Sequence, residues 1–179
     1  MRGEPRSALD ASMTPVDALP TVAEIAITLA GFIGLIVVFK PVSAASWSEE
    51  ERARVGFVLI LCILVLLCSL LPFALDGLQL SEAITWGLPL FIFAAGNLFL
   101  GANMLIRVKT KRIRIQFPLI SWPILFAWIV LNITLLFSSV GTLLPFSSGL
   151  LLMGLLWNLM IGAITLTALM AQTMENDSD

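Results

Sequence analysis

Histidine and tyrosine are absent from this chain of 179 residues, cysteine occurs twice, and charged side chains make up only 12% of it. Without histidine, imidazole ligation of haem and most zinc or copper sites are excluded. No glycine-rich loop is present to cradle phosphate, and no apolar stretch contains a pair of acids. Charge is scarcest near the end: from Ile115 to Met174 sixty residues pass without a single ionisable side chain. A serine hydrolase therefore has no base, because Ser138, Ser139, Ser147 and Ser148 lie in that stretch with neither histidine nor lysine beside them. Asp76 and Glu82 are the only acids expected in a loop on the outer side, too little for two-carboxylate chemistry.

Apolar side chains fill the space that charge leaves. They form 59% of the chain and raise the mean hydropathy to +1.00, well beyond the roughly 45–50% apolar content of soluble domains. A soluble core cannot absorb that excess, so the solvent of this chain is lipid. The net charge of -2 excludes an overall basic binder of nucleic acid. Cys62 and Cys68 fall in one apolar window and point about 120° apart on a helix. They read as small fillers that do not pair, and carry no information on compartment.

The pattern predicts an all-α fold, a polytopic membrane protein built as a bundle of five transmembrane helices. Residues 1–19, with Arg2, Glu4, Pro5, Arg6, Asp10, Pro15 and Asp17, read as a flexible tail. One helical domain, 20–172, follows, with spans at about 21–39, 55–75, 83–106, 117–137 and 150–171. Each approximates the ~20 residues that cross ~30 Å of hydrocarbon. Pro89 is a candidate bend in the third. The last two spans share the uncharged stretch, which as one helix would be three times too long, and the turn chemistry of Ser138 to Gly149 divides them. An acidic tail, 173–179, ends the chain.

Lysine and arginine number three, none, five and none in the four successive connections. By the positive-inside rule the two basic connections are cytoplasmic, the N-terminus is outside and the C-terminus inside. A cleavable signal peptide is the rival reading of the first window, because Val42-Ser43-Ala44 resembles a cleavage site. Against it stand the acidic residues where a basic flank belongs; sequencing the mature N-terminus decides between them. The stretch Thr21 to Phe32 resembles segments of small bacterial membrane proteins. That resemblance covers one span and carries no function. The expected address is a bacterial inner (plasma) membrane.

Polar residues inside the spans are the candidates for function, since each is costly in hydrocarbon. In the fifth span Gly154, Asn158 and Gly162 fall on one stripe, a small–amide–small face for helix packing, oligomerisation or a polar path. The third carries Asn97 and Gly101 in the same spacing, and the fourth Asn132 with Thr134 nearby. Counting residues from the loops puts Asn97 near mid-membrane, and Asn132 and Asn158 nearer the outside at matched depth. The expected pair is therefore Asn132 with Asn158.

Glu24 is the only acid within a span and reads as an interfacial acid, a partner for Asn158 or Thr28, or a proton or cation site. Arg107, Lys109, Lys111, Arg112 and Arg114 fix topology and are candidates for contact with anionic lipid. Trp47, Trp86 and Trp122 read as interface anchors, Trp128 and Trp157 as packing. No catalytic residue, cofactor or metal is expected. Partners should be the lipid bilayer and other membrane proteins or further copies of the chain, not nucleic acid. The expected role is an accessory, scaffold or assembly subunit working through helix and lipid contacts. Alternatives are an oligomeric transporter or channel subunit lined by Asn97, Asn132 and Asn158, and a membrane-embedded enzyme.

Overall fold

The structure, a computed structural model, describes residues 14–39, 49–111, 118–141 and 148–176. Among them the secondary structure is entirely helical: α1 (Pro15–Phe39), α2 (Glu49–Gly77), α3 (Glu82–Lys111), α4 (Pro118–Ser139) and α5 (Ser148–Asn176). Four stretches are long and apolar enough to cross a membrane, Pro15–Val38, Glu51–Gly77, Glu82–Ile106 and Ser148–Met170. A shorter apolar helix, Pro123–Ser139, belongs to α4. The chain is thus an all-α bundle of apolar helices.

Helices run further than the apolar windows, because backbone hydrogen bonding continues into polar flanks. At the start, Thr14 caps α1: its amide donates to Asp17 Oδ2 at 2.9 Å, and the Asp17 amide donates back to Thr14 Oγ1 at 3.4 Å. Pro15 occupies the first helical position, where a missing N–H costs nothing. Residues 15–19, expected in the tail, are therefore helical, and Leu19 is fully buried. The run from Glu49 to Arg54, expected in a linker, forms the first turns of α2. At the other ends α3 continues to Lys111 and α5 to Asn176, into the basic connector and the acidic tail. The remainder of the expected tails, Trp47, the candidate cleavage site at 42–44, and most of the turn between α4 and α5 lie outside the described residues.

The α2–α3 connection shows how a helix stops without glycine where glycine fits best. Leu80 N–H donates to Leu75 O at 3.5 Å and Gln79 N–H to Asp76 O at 2.8 Å, the paired closure of a Schellman motif. Its left-handed position is taken by Gln79, at φ 55°, while Gly77 sits two residues too early. A β-carbon in that conformation costs about 1–2 kcal/mol. Gln79→Gly is expected to raise stability by about 1 kcal/mol, the relief being partly offset by the freer unfolded glycine. Unfolding titrations in detergent measure this, and an unchanged midpoint would rule out the strain.

Within the bundle α2 is central, touching α1, α3 and α5, whereas α4 packs chiefly on α3. Val58, Leu61, Cys62, Val65, Cys68, Ser69, Pro72 and Leu75 form its buried stripe, spaced three and four apart as an interior helix face requires. Both cysteines are free and buried. Every helix also keeps apolar side chains outward, among them Ile27 of α1, Ile63 of α2, Phe99 of α3, Phe126 of α4 and Ile164 of α5. In water such surface would be a liability; in lipid it is solvated.

Candidate functional site

Three asparagines are buried in the bundle, Asn97 at 0%, Asn132 at 1% and Asn158 at 2% exposure. The packing contacts around them establish their relative height. An alanine methyl at Gly154 would lie 2.9 Å from both Leu135 Cδ1 and Phe93 Cε1, so α3, α4 and α5 meet at that level. At Gly101 a methyl would overlap the Trp128 ring, which brings α4 against α3 a second time. Phe93 to Gly101 along α3 thus runs beside Leu135 back to Trp128 along α4, and the two helices are antiparallel. Asn97, midway along the first stretch, is level with Asn132 in the second. One turn beyond Gly154, Asn158 reaches the same height, where its Nδ2 donates to Asn97 Oδ1 at 2.7 Å. The three amides form one polar layer.

Hydrogen bonding within the layer is unequal. Asn97 Nδ2 donates to Phe93 O at 2.9 Å, and Asn132 Nδ2 to Trp128 O at 2.8 Å, each closing on the preceding turn of its own helix. Asn97 Oδ1 is satisfied by Asn158, whereas Asn132 Oδ1 has no partner. The same holds for the buried Nε1 of Trp157 and for Ser138 Oγ.

The bonded pair is therefore Asn97–Asn158, not the expected Asn132–Asn158. Depth counted from loop edges misplaced Asn97, because helices that extend past their apolar windows and tilt do not begin at a common plane. Gly154 and Gly162 are buried on the same face of α5 as Asn158; Gly162 approaches Leu29 of α1 and Val58 of α2 at ordinary contact distance. Trp128 was read as packing, but its seat against Gly101 carries no signal in spacing, since it joins two helices.

Glu24 stands apart from this layer. It is exposed on α1, and Thr28 Oγ1 donates to its backbone carbonyl at 2.8 Å rather than to its carboxylate. The donor of Asn158, expected as another partner for Glu24, is directed to Asn97. Thr21, Glu24, Ile25, Thr28, Leu29 and Phe32 line an open groove of about 410 Å³ on α1. Arg107, Lys109 and Lys111 belong to the last turns of α3, while Arg112 and Arg114 lie outside the described residues. Among the described residues no group of three or more histidine, cysteine, aspartate or glutamate side chains could hold a metal ion.

No protein-family model, curated protein or solved structure matches this chain. Its chemistry is consequently read from the layer and the helix surfaces. Carboxamides neither gain nor lose a proton near neutral pH, so the layer can orient and hold but cannot act as an acid or base. In a medium without water, a bonded amide pair also selects one register of α3 against α5, since a slide would strand both groups.

Proposed function

We propose that this chain is an integral membrane protein serving as an accessory, scaffold or assembly subunit, acting through helix faces and lipid contacts rather than through catalysis. The observation that carries the reading is the division of its polar groups. Asn97 and Asn158 are spent on each other inside the bundle, while Thr21, Glu24 and Thr28 form a polar strip on the open face of α1. A carboxylate on an outward face within a spanning helix is stabilised by reaching the interface or by meeting a donor on another helix. The second outcome brings another membrane component to α1.

Five crossings and the basic connections support an N-terminus outside and a C-terminus inside, with the inner membrane of a bacterium as the proposed location. The basic run Arg107 to Arg114 would then face anionic headgroups on the cytoplasmic side. A second reading, an oligomeric transporter or channel subunit, draws on the unpartnered oxygen of Asn132; it requires the amides to line a continuous path between copies.

Gentle purification in nanodiscs with mass analysis tests the proposal. A stoichiometric second membrane protein, retained by the wild type and depleted with Glu24→Gln, is the expected result. A homo-oligomer that conducts solute after reconstitution would favour the conduit, and a lone monomer without retained protein or lipid would overturn the accessory role.

A further inference from the structure

We propose that the outer face of α1 is a docking seam for a spanning helix of a different membrane protein, one that carries a lysine or arginine at the depth of Glu24. The inference rests on the accessory role proposed above and names the chemistry of the partner. Thr21, Glu24, Thr28, Gly31, Leu35 and Val38 are all exposed. Their spacing alternates between three and four residues, which aligns them in one seam along the helix. Leu19, Val22, Ala26 and Ile33 are buried, and at about 100° of rotation per residue they lie on the opposite side of α1. The seam therefore faces directly away from the chain's own bundle.

Two residues of the seam call for a neighbour there. Glu24 lies within the apolar stretch Pro15–Val38, seven residues or about 10 Å further along α1 than Asp17, the acid that closes the helix cap. Ionisable groups in a span almost always face the bundle interior or pair with one another; this one faces outward, and the nearby Thr28 hydroxyl is spent on a backbone carbonyl. Gly31 weakens the helix relative to alanine. An added β-carbon there would meet nothing within 4 Å, whereas at Gly96, Gly101, Gly154 and Gly162 it would meet a side chain of another helix. A glycine left open on an outward face gives a second backbone room for close approach in lipid.

Charge complementarity makes the partner cationic, and the course of the helices excludes a second copy as its source. Leu19 clusters with Cys68 and Leu151, and Ile33 with Val58 and Leu166. Helix α2 is thus antiparallel to α1, and α5 is parallel to it. Helix α3 runs with α5, because Phe93 meets Gly154 and Asn97 meets Asn158. Arg52 and Arg54 at the start of α2, and Arg107, Lys109 and Lys111 at the end of α3, therefore belong to the Phe39 end of the bundle, away from Glu24. A copy inserted the same way round brings another Glu24 to this depth and, among its described residues, no cation.

Failure of the accessory role would appear as a lone monomer from native membranes, so it is separable from failure of this seam. The test of the seam places the full chain in phosphatidylcholine nanodiscs with synthetic spanning helices of leucine and alanine. These carry either one lysine at the depth of Glu24 or leucine in its place, and binding is read by energy transfer between labels. The lysine helix is expected to bind roughly three- to twentyfold more tightly, the range of an interhelical polar contact in lipid. Glu24→Gln is expected to lose that preference, and Glu24→Lys to prefer a helix bearing glutamate instead. Gly31→Leu, which fills the seam without meeting its own fold, is expected to weaken binding of the lysine helix. Equal binding of both helices to the wild type would overturn the proposal. So would a lysine preference that persists in Glu24→Gln, binding unchanged in Gly31→Leu, or displacement of the lysine helix by added phosphatidylethanolamine, which would give the face to a lipid ammonium.

Discussion

Gly101→Ala is expected to destabilise the bundle by about 1–3 kcal/mol, the usual cost of overpacking a filled interior. The added methyl would overlap the Trp128 ring, and a rigid indole has no short rotation that clears it. Displacing Trp128 also moves the turn whose carbonyl accepts from Asn132 Nδ2, so the loss extends into the polar layer. Gly154→Ala should cost less, because a methyl there would stop at 2.9 Å from Leu135 Cδ1 and Phe93 Cε1 instead of overlapping a ring. Gly162→Ala, with contacts of 3.4 and 3.5 Å, should be close to neutral. At Gly31 and Gly34 nothing lies within 4 Å of an added methyl, and alanine's higher helix propensity, worth up to about 1 kcal/mol, acts alone. Denaturation in a common detergent ranks the series. Equal effects at Gly101 and Gly31 would contradict the helix contact, whereas recovery of Gly101→Ala by a second change, Trp128→Leu, would locate the clash.

Removing one member of the amide pair should be worse than removing both. In Asn158→Leu the buried Oδ1 of Asn97 loses the donor now 2.7 Å away, and an unsatisfied buried acceptor costs about 1–3 kcal/mol. Replacing both asparagines by leucine removes the stranded group along with the bond. A double-mutant cycle on Asn97 and Asn158 is expected to return a coupling at least as large as the costlier single change, about 1–3 kcal/mol, because the stranded partner adds to the bond itself. The matching cycle on Asn132 and Asn158 should return less, since no bond joins them. Additive single effects at Asn97 and Asn158 would eliminate the pair.

The helices were legible from amino-acid order where one residue type alone carried the signal. Apolar runs interrupted by Lys40, by Asp76 to Glu82 and by Arg107 to Arg114 mark spans because a charge in hydrocarbon is penalised whatever its neighbours. Asparagine inside such runs was conspicuous for the same reason, and the structure buries Asn97, Asn132 and Asn158. The cap Thr14-Pro15-Val16-Asp17 was also readable, as an N-terminal helix signal lying just ahead of the apolar window. Composition drew attention away from it, because the surrounding residues look like a tail.

Harder to read was anything that depends on two helices at once. Depth within a span can be counted only from an assumed edge, and an error of one turn suffices to exchange Asn97 for Asn132 as the neighbour of Asn158. Spacing placed Gly101 and Gly154 on packing faces but did not name what meets them. Trp128 and Leu135 reach those glycines from another helix, and no periodicity along one chain segment encodes such an approach.

For this molecule, then, lipid as the solvent, five apolar helices and the scarcity of reactive groups follow from residue order alone, because transfer into hydrocarbon and backbone hydrogen bonding are properties of each segment separately. Which asparagines bond, where Trp128 seats and which polar atoms remain unpaired emerged only once the helices were packed. Between helices in lipid the hydrophobic effect does not discriminate one arrangement from another; close contact and a few hydrogen bonds do, and both are properties of the assembled bundle.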